Sequence, residues 1–214
     1  DLYQHTDPSA VGNGMRTLVS DMAGRASIEL KARELGFELE DQPELVAKVL
    51  ADVKELELSG YTFDAADASF ELLLRRELSG DPLTYFDVES WRVITDSRGG
   101  EALSEATVKL TADGSRTVAT GEGNGPVNAL DQALRMSLRG AYPELDRLEL
   151  IDFRVRILDS AHGTDATTRV LIETSDGETS WTTVGVAPNI VEASWRALVD
   201  GITYGLLIHG VPRR

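Results

Sequence analysis

The chain has 214 residues, of which 42% are hydrophobic, enough for one large or two small domains with real cores. It has no cysteine and a formal net charge of −15, which exclude disulfides and thiolate metal sites and argue against nucleic acid or an anionic membrane as partner. No apolar run approaches the ~18 residues that a membrane span needs, and no signal-peptide pattern is present, so we expect a cytoplasmic protein.

The N-terminal part of the chain predicts short helices with little strand between them. Helical spacing runs from Ser20 to Leu35 and is expected to stop at Gly36. Pro43 is placed to begin a second helix, through Leu56, and Asp64 is a predicted N-cap for a third. We therefore predict a set of helical linker subdomains over residues 1–86.

The rest of the chain predicts strands that are joined by hairpin turns and followed by helices. The first set comprises strands at 91–95, 106–110 and 116–120, a turn at Asp113-Gly114, and a helix at 127–138. The second comprises strands at 150–158, 167–174 and 180–186, a turn at Asp176-Gly177, and a helix at 189–206. Two β-β-β-α units (91–140 and 150–208) predict an α+β domain over 87–214, with an antiparallel sheet layer covered by two helices.

The two sets match each other as an internal repeat. The passage that begins at Trp91 recurs 62 residues later at Phe153, and Pro126 recurs at Pro188 with the same offset. The Asp-Gly turns are 63 residues apart, which indicates that the second unit has one extra residue before its turn and one fewer after it. Such a repeat predicts two copies of one unit about a pseudo-twofold axis, with their glycine-proline junctions facing each other.

The junction at residues 123–126, Gly-Asn-Gly-Pro, leads from the third strand into the helix of the first unit. The unpaired N–H groups of a first helical turn, together with the helix dipole, favour a carboxylate or phosphate there. Residues 185–188, Gly-Val-Ala-Pro, repeat the arrangement, with Asn189 as a cap. The alternative is that each junction is only a tight strand-to-helix turn, and the sequence leaves both interpretations open.

No pattern of catalytic residues or metal ligands stands out. His5, His162 and His209 lie in unlike contexts, without the spacing of metal ligands. No Walker loop and no nucleophile elbow is present. We therefore predict no catalytic residue, no metal and no cofactor in this chain.

The second unit is similar to the C-terminal regulatory domain of the α-isopropylmalate synthase and citramalate synthase family. Residues 183–195 resemble the citramalate synthase branch most closely, and residues 123–129 resemble the family's G-N-G-P-V-D-A, with Asn128 where aspartate is frequent. Residues 3–8 resemble the segment that follows the family's catalytic barrel, and residues 60–63 resemble its second linker subdomain. The resemblance covers nearly the whole chain.

This resemblance implies a function. The family's catalytic (β/α)₈ barrel, with its divalent metal, would lie N-terminal to residue 1, so the chain would be a fragment that holds the linker and the regulatory domain. The parent enzyme would condense acetyl-CoA with a 2-oxo acid, which is pyruvate in the citramalate branch. The fragment would form a homodimer and bind the end-product amino acid, with Tyr3 as a relay to the active site. That amino acid would be isoleucine in the citramalate branch, which the residues resemble most closely, or leucine in the isopropylmalate branch, and the sequence leaves both open.

The resemblance and the chemistry of the glycine junction together indicate where the ligand binds. The candidate ligand-binding residues are Gly123, Asn124, Gly125, Val127, Asn128, Leu150, Phe153, Ile157, Ala166, Val186 and Pro188. The six apolar residues from Leu150 onward would form one wall of the site, unless they are ordinary core residues. The runner-up interpretation is a dimerisation module that has lost its ligand, with Trp195 and Leu198 in an obligate interface.

Overall fold

The computed structural model describes residues 24–39, 41–158 and 166–213. In these ranges the helices are α1 (Arg25–Glu34), α2 (Pro43–Leu58), α3 (Asp67–Ser79), α4 (Pro126–Leu138) and α5 (Ile190–Ile208), with a 3₁₀ helix at Pro143–Arg147. The strands are β1 (Phe86–Arg98), β2 (Glu101–Ala112), β3 (Ser115–Gly123), β4 (Glu149–Ile157), β5 (Thr168–Ser175) and β6 (Ser180–Ala187). They form two antiparallel three-stranded sheets, in the orders β1-β2-β3 and β4-β5-β6. The predicted α+β fold of two β-β-β-α units is confirmed, although the strands form two sheets and not one layer.

The first three helices form where the sequence predicts them, with differences at their ends. Pro43 is the first residue of α2, where its missing N–H costs no helical hydrogen bond. Gly36 follows the last turn of α1 with φ of +86°, a conformation that glycine adopts without strain. The predicted N-cap at Asp64 is wrong, because α3 begins at Asp67 and its N-cap is Ala66.

The first strands of the two units match each other closely. Each contains one irregularity in its pairing with the next strand, between Val88 and Ser90 in β1 and between Leu150 and Asp152 in β4. These bulges lie 62 residues apart, the offset that the sequence indicates. Both strands extend beyond the predicted stretches at one end or both, because pairing with a long neighbour holds polar residues in the strand as well as apolar ones.

Beyond the first strands, the offset between the units is 64 residues. Trp91 lies opposite Val108 in the first sheet, and Phe153 lies opposite Ile172 in the second. The same offset relates Gly125 and Asn189, the N-caps of α4 and α5. The predicted equivalence of Pro126 and Pro188 is therefore wrong: Pro126 is the first residue of α4, whereas Pro188 lies before the N-cap of α5.

Glycines in the third strands set the distance between each helix and its sheet. A Cβ atom on Gly185 would overlap the carbonyl oxygen of Ala193 and lie 2.9 Å from the backbone nitrogen of Ala197. Gly121, 64 residues earlier, faces Ala129 and Ala133 of α4 in the same way. Gly185 thus serves close packing of β6 against α5, and its counterpart in the first unit is Gly121 and not Gly123.

Two large apolar cores and one small cluster hold the described residues together. The larger core spans both units and contains fully buried residues from the sheets and from α4 and α5, among them Leu110, Leu134, Ile172 and Leu206. The helices α1–α3 enclose a second core around Phe70. At about 25 cal/mol for each Å² of buried apolar surface, burial of this kind is the main favourable contribution to folding.

Candidate ligand-binding site

An open cavity of about 720 Å³ lies along α4, between this helix, the 3₁₀ helix that follows it and the beginning of β4. It therefore joins the helix of the first unit to the first strand of the second. Six of the predicted ligand-binding residues line it, namely Asn124, Gly125, Val127, Asn128, Leu150 and Phe153. The first four lie more than 20 positions before the last two in the sequence, and the packing of the two units brings the two groups together.

The other five predicted residues lie outside the cavity lining. Gly123 is next to it, at the end of β3, where a Cβ atom would lie 2.6 Å from the backbone nitrogen of Ala129. Ile157 is further along β4, Ala166 is buried just before β5, and Pro188 is exposed before α5. Val186 points to the opposite face of its sheet, where it contacts Ala66. The structure thus places these five apart from the six that share the cavity.

The N-terminus of α4 opens onto the cavity. Its N-cap Gly125 has an extended backbone and no side chain to accept from the first turn. The first backbone hydrogen bond of the helix runs from Ala129 N–H to Gly125 O, so the N–H groups of Val127 and Asn128 precede it. Together with the positive end of the helix dipole, these groups favour an anionic ligand atom.

Charged side chains at the other end of the cavity are mostly paired. Arg135 Nε donates to Asp131 Oδ1 at 2.8 Å, and its terminal nitrogen donates to the carbonyl oxygens of Leu145 and Leu148. Arg139 pairs with Asp146 at 2.8 Å. Glu149 also lines the cavity and has no hydrogen bond or ion pair with any described residue, so its carboxylate is an available acceptor.

The sequence analysis missed these charged residues. The spacing of Asp131 and Arg135 on α4, four residues apart, is a signal that was available, because side chains at that spacing meet on a helix surface. Glu149 gave no such signal, since its role depends on a packing between two units that local patterns do not encode.

Apolar side chains complete the cavity. Val127, Leu145, Leu148, Leu150 and Phe153 line it alongside the polar groups. The arrangement offers N–H donors for a carboxylate, a carboxylate for an ammonium group, and an apolar surface for a side chain. Concave sites with a few polar groups on an apolar wall are typical of small-molecule binding.

An exposed apolar stripe continues from the cavity along β4. Phe153, Val155 and Ile157 are 37%, 41% and 59% exposed, although they lie on the face of the sheet that α5 covers at β5 and β6. β4 is at the edge of its sheet, so its outer backbone groups are unpaired as well. An exposed apolar edge of this kind is typical of an interaction surface.

Several sequence-level candidates lie elsewhere. Tyr3, His5 and His162 are outside the described residues. His209 Nε2 lies 3.5 Å from Asp176 Oδ2, at the far end of the second unit. In the described ranges no group of three or more His, Cys, Asp or Glu side chains is arranged to hold a metal ion, and no described helix is long and apolar enough to cross a membrane.

Known proteins are similar to this chain over most of its length. Residues 64–206 match the family model described as the LeuA allosteric (dimerisation) domain. The chain is 65% identical to the (R)-citramalate synthase of Streptomyces coelicolor over 212 residues, which cover 99% of this chain and 40% of that protein. It is 45% identical to that of Aquifex aeolicus (96% and 39% covered) and 38% identical to that of Sulfolobus acidocaldarius (95% and 37%). The chain thus spans about two fifths of the length of these relatives.

Proposed function

Because the chain belongs to the LeuA allosteric (dimerisation) domain family, we propose that it is the regulatory part of a citramalate synthase-like acyltransferase and that it binds isoleucine as a feedback inhibitor. The similarity to citramalate synthases over 94–99% of the chain supports this proposal. The acetyl-CoA and pyruvate chemistry, with its divalent metal, would belong to the part of those relatives that the chain does not match. We place the protein in the cytoplasm.

The open N-terminus of α4 is the observation that carries the ligand proposal. The isoleucine carboxylate would accept from the N–H groups of Val127 and Asn128, and the ammonium group would donate to Glu149. Leu150 and Phe153 would contact the aliphatic side chain. The cavity holds all three kinds of group, and they match the three parts of an amino acid.

We further propose a homodimer in which a second copy covers the apolar stripe on β4. The stripe of Phe153, Val155 and Ile157 begins at the cavity, so a covering subunit would also close the ligand site. Binding would then favour one arrangement of the dimer over another. A coupling free energy of about 1–3 kcal/mol between this site and the active site is typical of such control.

Calorimetric titration of the 214-residue chain with isoleucine, leucine and valine in parallel tests the proposal. We expect the tightest binding for isoleucine, although a shifted methyl group changes affinity by only ~1–3 kcal/mol. Glu149→Gln removes the ammonium acceptor and is expected to weaken binding at least tenfold. Glu178→Gln, on the distant second hairpin, is the matched control and is expected to leave binding unchanged.

The runner-up is a dimerisation module without a ligand, which the exposed stripe on β4 favours in its own right. Gly123→Val separates the two functions. The added side chain would overlap Asn128 Oδ1 and displace the first turn of α4, which would abolish ligand binding while the β4 stripe stays intact. A folded dimer that binds none of the three amino acids would favour the module without a ligand.

A further inference from the structure

A second cavity, of about 310 Å³, lies at the junction between the helices α1–α3 and the second unit. Its walls come from α3, from residues 82–86 before β1, and from α5, with side chains from the end of α2 and the loop after it. This junction cavity is separate from the cavity at α4, since the two share no lining residue. Nothing in the proposed feedback site accounts for it.

Two residues of opposite charge line the junction cavity. Arg76 projects from α3 and Asp200 from α5, and no hydrogen bond or ion pair joins them. The Nε of Arg76 donates to Glu77 Oε1 at 3.2 Å, which leaves the remaining N–H groups of the guanidinium to bind another acceptor. Asp200 has no hydrogen-bond or ion-pair partner among the described residues.

A carboxylate without a partner in this cavity lowers the stability of the folded state, which calls for a functional explanation. Burial raises the pKa of Asp200 to about 7, and the positive charge of Arg76 offsets this only in part. Asp200 is half-buried, and a native protein normally pairs a carboxylate that is withdrawn from water in this way. A carboxylate that stays unpaired beside a cavity is therefore a candidate for a ligand contact.

Most of the other residues that line the junction cavity are apolar or aromatic, and Ser69, Thr84 and Thr203 add hydroxyl groups. Phe63, Leu72, Tyr85, Phe86 and Val199 are among the residues that line it. Aromatic faces attract an ammonium group, and aliphatic side chains exclude the water that would compete for Asp200. The volume is at the lower end of the range for small-molecule sites, so it suits a compact ligand.

We propose that the junction cavity is a second small-molecule site, which binds a zwitterion with an apolar body between Arg76 and Asp200. The ammonium group of the ligand pairs with Asp200, its carboxylate pairs with Arg76, and its apolar body fills the space beside Leu72 and Phe86. An aliphatic amino acid has this chemistry. Since α3 and α5 supply the two charges, an occupied site links the helices α1–α3 to the second unit, which goes beyond the feedback site proposed above.

Ligand affinity at the junction cavity is expected to depend on pH. Arg76 and Asp200 are the charged residues that line the cavity, and Tyr61 and Tyr85 are its other titratable groups. An ammonium ligand binds the ionised form of Asp200, which the raised pKa of this carboxyl makes scarce below pH 7. Affinity is therefore expected to rise about tenfold between pH 6 and pH 8.

Fluorine NMR of the 214-residue chain labelled with 3-fluorotyrosine tests the proposal, because Tyr61 and Tyr85 line the junction cavity and no tyrosine in the described ranges lines the cavity at α4. L-leucine is the probe. It is expected to shift the two signals, assigned by Tyr→Phe variants, with the stated pH dependence. Asp200→Asn and Arg76→Gln are each expected to weaken the response at least tenfold.

Matched probes and a matched variant make the result decisive. 3-Methylbutylamine lacks the carboxylate and 4-methylpentanoate lacks the ammonium group, so both are expected to bind more weakly than L-leucine. Unshifted Tyr61 and Tyr85 signals, an unchanged response in Asp200→Asn, or equal binding of the amine would each overturn the proposal. Glu149→Gln is expected to leave these signals unaffected, so failure at the feedback site and failure here are told apart.

Discussion

The two β-β-β-α units share a backbone plan but differ in what covers their sheets. The outer face of the second sheet packs on residues 60–69, where Val184 and Val186 are buried against Ala66. At the equivalent positions of the first sheet, 64 residues earlier, Thr120 and Glu122 are exposed. The two units therefore share a backbone arrangement. Contact with the helices α1–α3, or its absence, determines which side chains the outer face of each sheet can hold.

The helix N-termini of the two units differ as well. Asn189 caps α5 by accepting from the N–H groups of Val191 and Glu192 at 2.8 and 3.3 Å. Gly125 supplies no such acceptor to α4, whose first turn opens onto the larger cavity. The second unit thus supplies a hydrogen-bond acceptor to the N-terminus of its own helix. The first unit leaves the N–H groups of its helix available to a ligand.

The largest expected effect on stability comes from the close packing of a helix on a third-strand glycine, which both units share. Gly185→Ala places a Cβ against the backbone of α5 at Ala193 and Ala197, so the helix has to move away from β6. We expect a loss of about 3 kcal/mol in the free energy of unfolding, measured by urea denaturation. Gly125→Ala is the matched control, because a Cβ there meets no described atom within 4 Å, and it is expected to cost no more than about 1 kcal/mol, the effect of an alanine at an N-cap.

The contact that covers the second sheet can be removed at Arg169. Its guanidinium donates to the carbonyl oxygens of Gly60 and Tyr61, and burial lowers the pKa of this side chain. Arg169→Met leaves both carbonyls without this donor, and we expect a loss of about 2 kcal/mol in urea denaturation. The equivalent position of the first sheet is Glu105, which is exposed, and Glu105→Gln is expected to have little effect.

A paired substitution on the outer faces tests the comparison directly. Val184→Thr buries a hydroxyl group against the contacts of residues 60–69 and is expected to cost about 1–2 kcal/mol in thermal unfolding. Thr120→Val, at the equivalent and exposed position, is expected to stay within about 0.5 kcal/mol. Equal effects at the two positions would show that the outer faces do not differ as the structure indicates.

The sequence predicts the elements of both units because their signals are local. Asp-Gly turns, the glycine after a helix and the apolar spacing of α4 and α5 each depend on a few neighbouring residues. The register between the units was missed because Gly123-x-x-Pro126 and Gly185-x-x-Pro188 match in letters only. The true equivalence rests on Gly121 and Gly185 against helix alanines, a contact between elements that becomes visible only in the packed structure.

The candidate site, too, has a part that could be predicted from local sequence and a part that could not. Residues at the start of α4 could be predicted from the glycine junction, because a helix N-terminus has the same exposed N–H groups in any fold. On its second wall only Leu150 and Phe153 were predicted, through the family resemblance; Leu148 and Glu149 were missed, since they meet α4 only through the docking of the two units. Val186 lies away from this cavity because strand residues alternate between faces, and its own face is the one that Ala66 covers.

Exchanging the two N-caps gives a smaller effect. Asn189→Ala removes the acceptor for Val191 and Glu192, and we expect a loss of about 1 kcal/mol in urea denaturation. Gly125→Asn introduces an equivalent cap at α4, which is expected to add a few tenths of a kcal/mol. The same variant is expected to weaken isoleucine binding in calorimetry, because the new side chain competes for the N–H groups of the first turn. Unchanged binding would argue against a carboxylate at this terminus.

The two hairpins give the smallest effect, and it depends on pH. Asp176 accepts from the N–H groups of Thr179 and Glu178, which hold the pKa of its carboxyl below the usual range. The resulting stabilisation is complete above the pKa of the unfolded carboxyl, near 3.8, and is lost as the pH falls through the lower folded value. Asp176→Asn is therefore expected to lower the melting temperature at pH 7 by more than it does at pH 2.5.

Asp113 is the control for this prediction, because the same dipeptide has a different role in the first hairpin. Asp113 and Gly114 both have positive φ and form the turn itself, a conformation that asparagine also adopts readily. Asp113→Asn is expected to keep this turn and to lower the melting temperature at pH 7 by less than Asp176→Asn does. A similar acid-dependent loss in both variants would show that the profile reflects net charge and not the hydrogen bonds of the second turn.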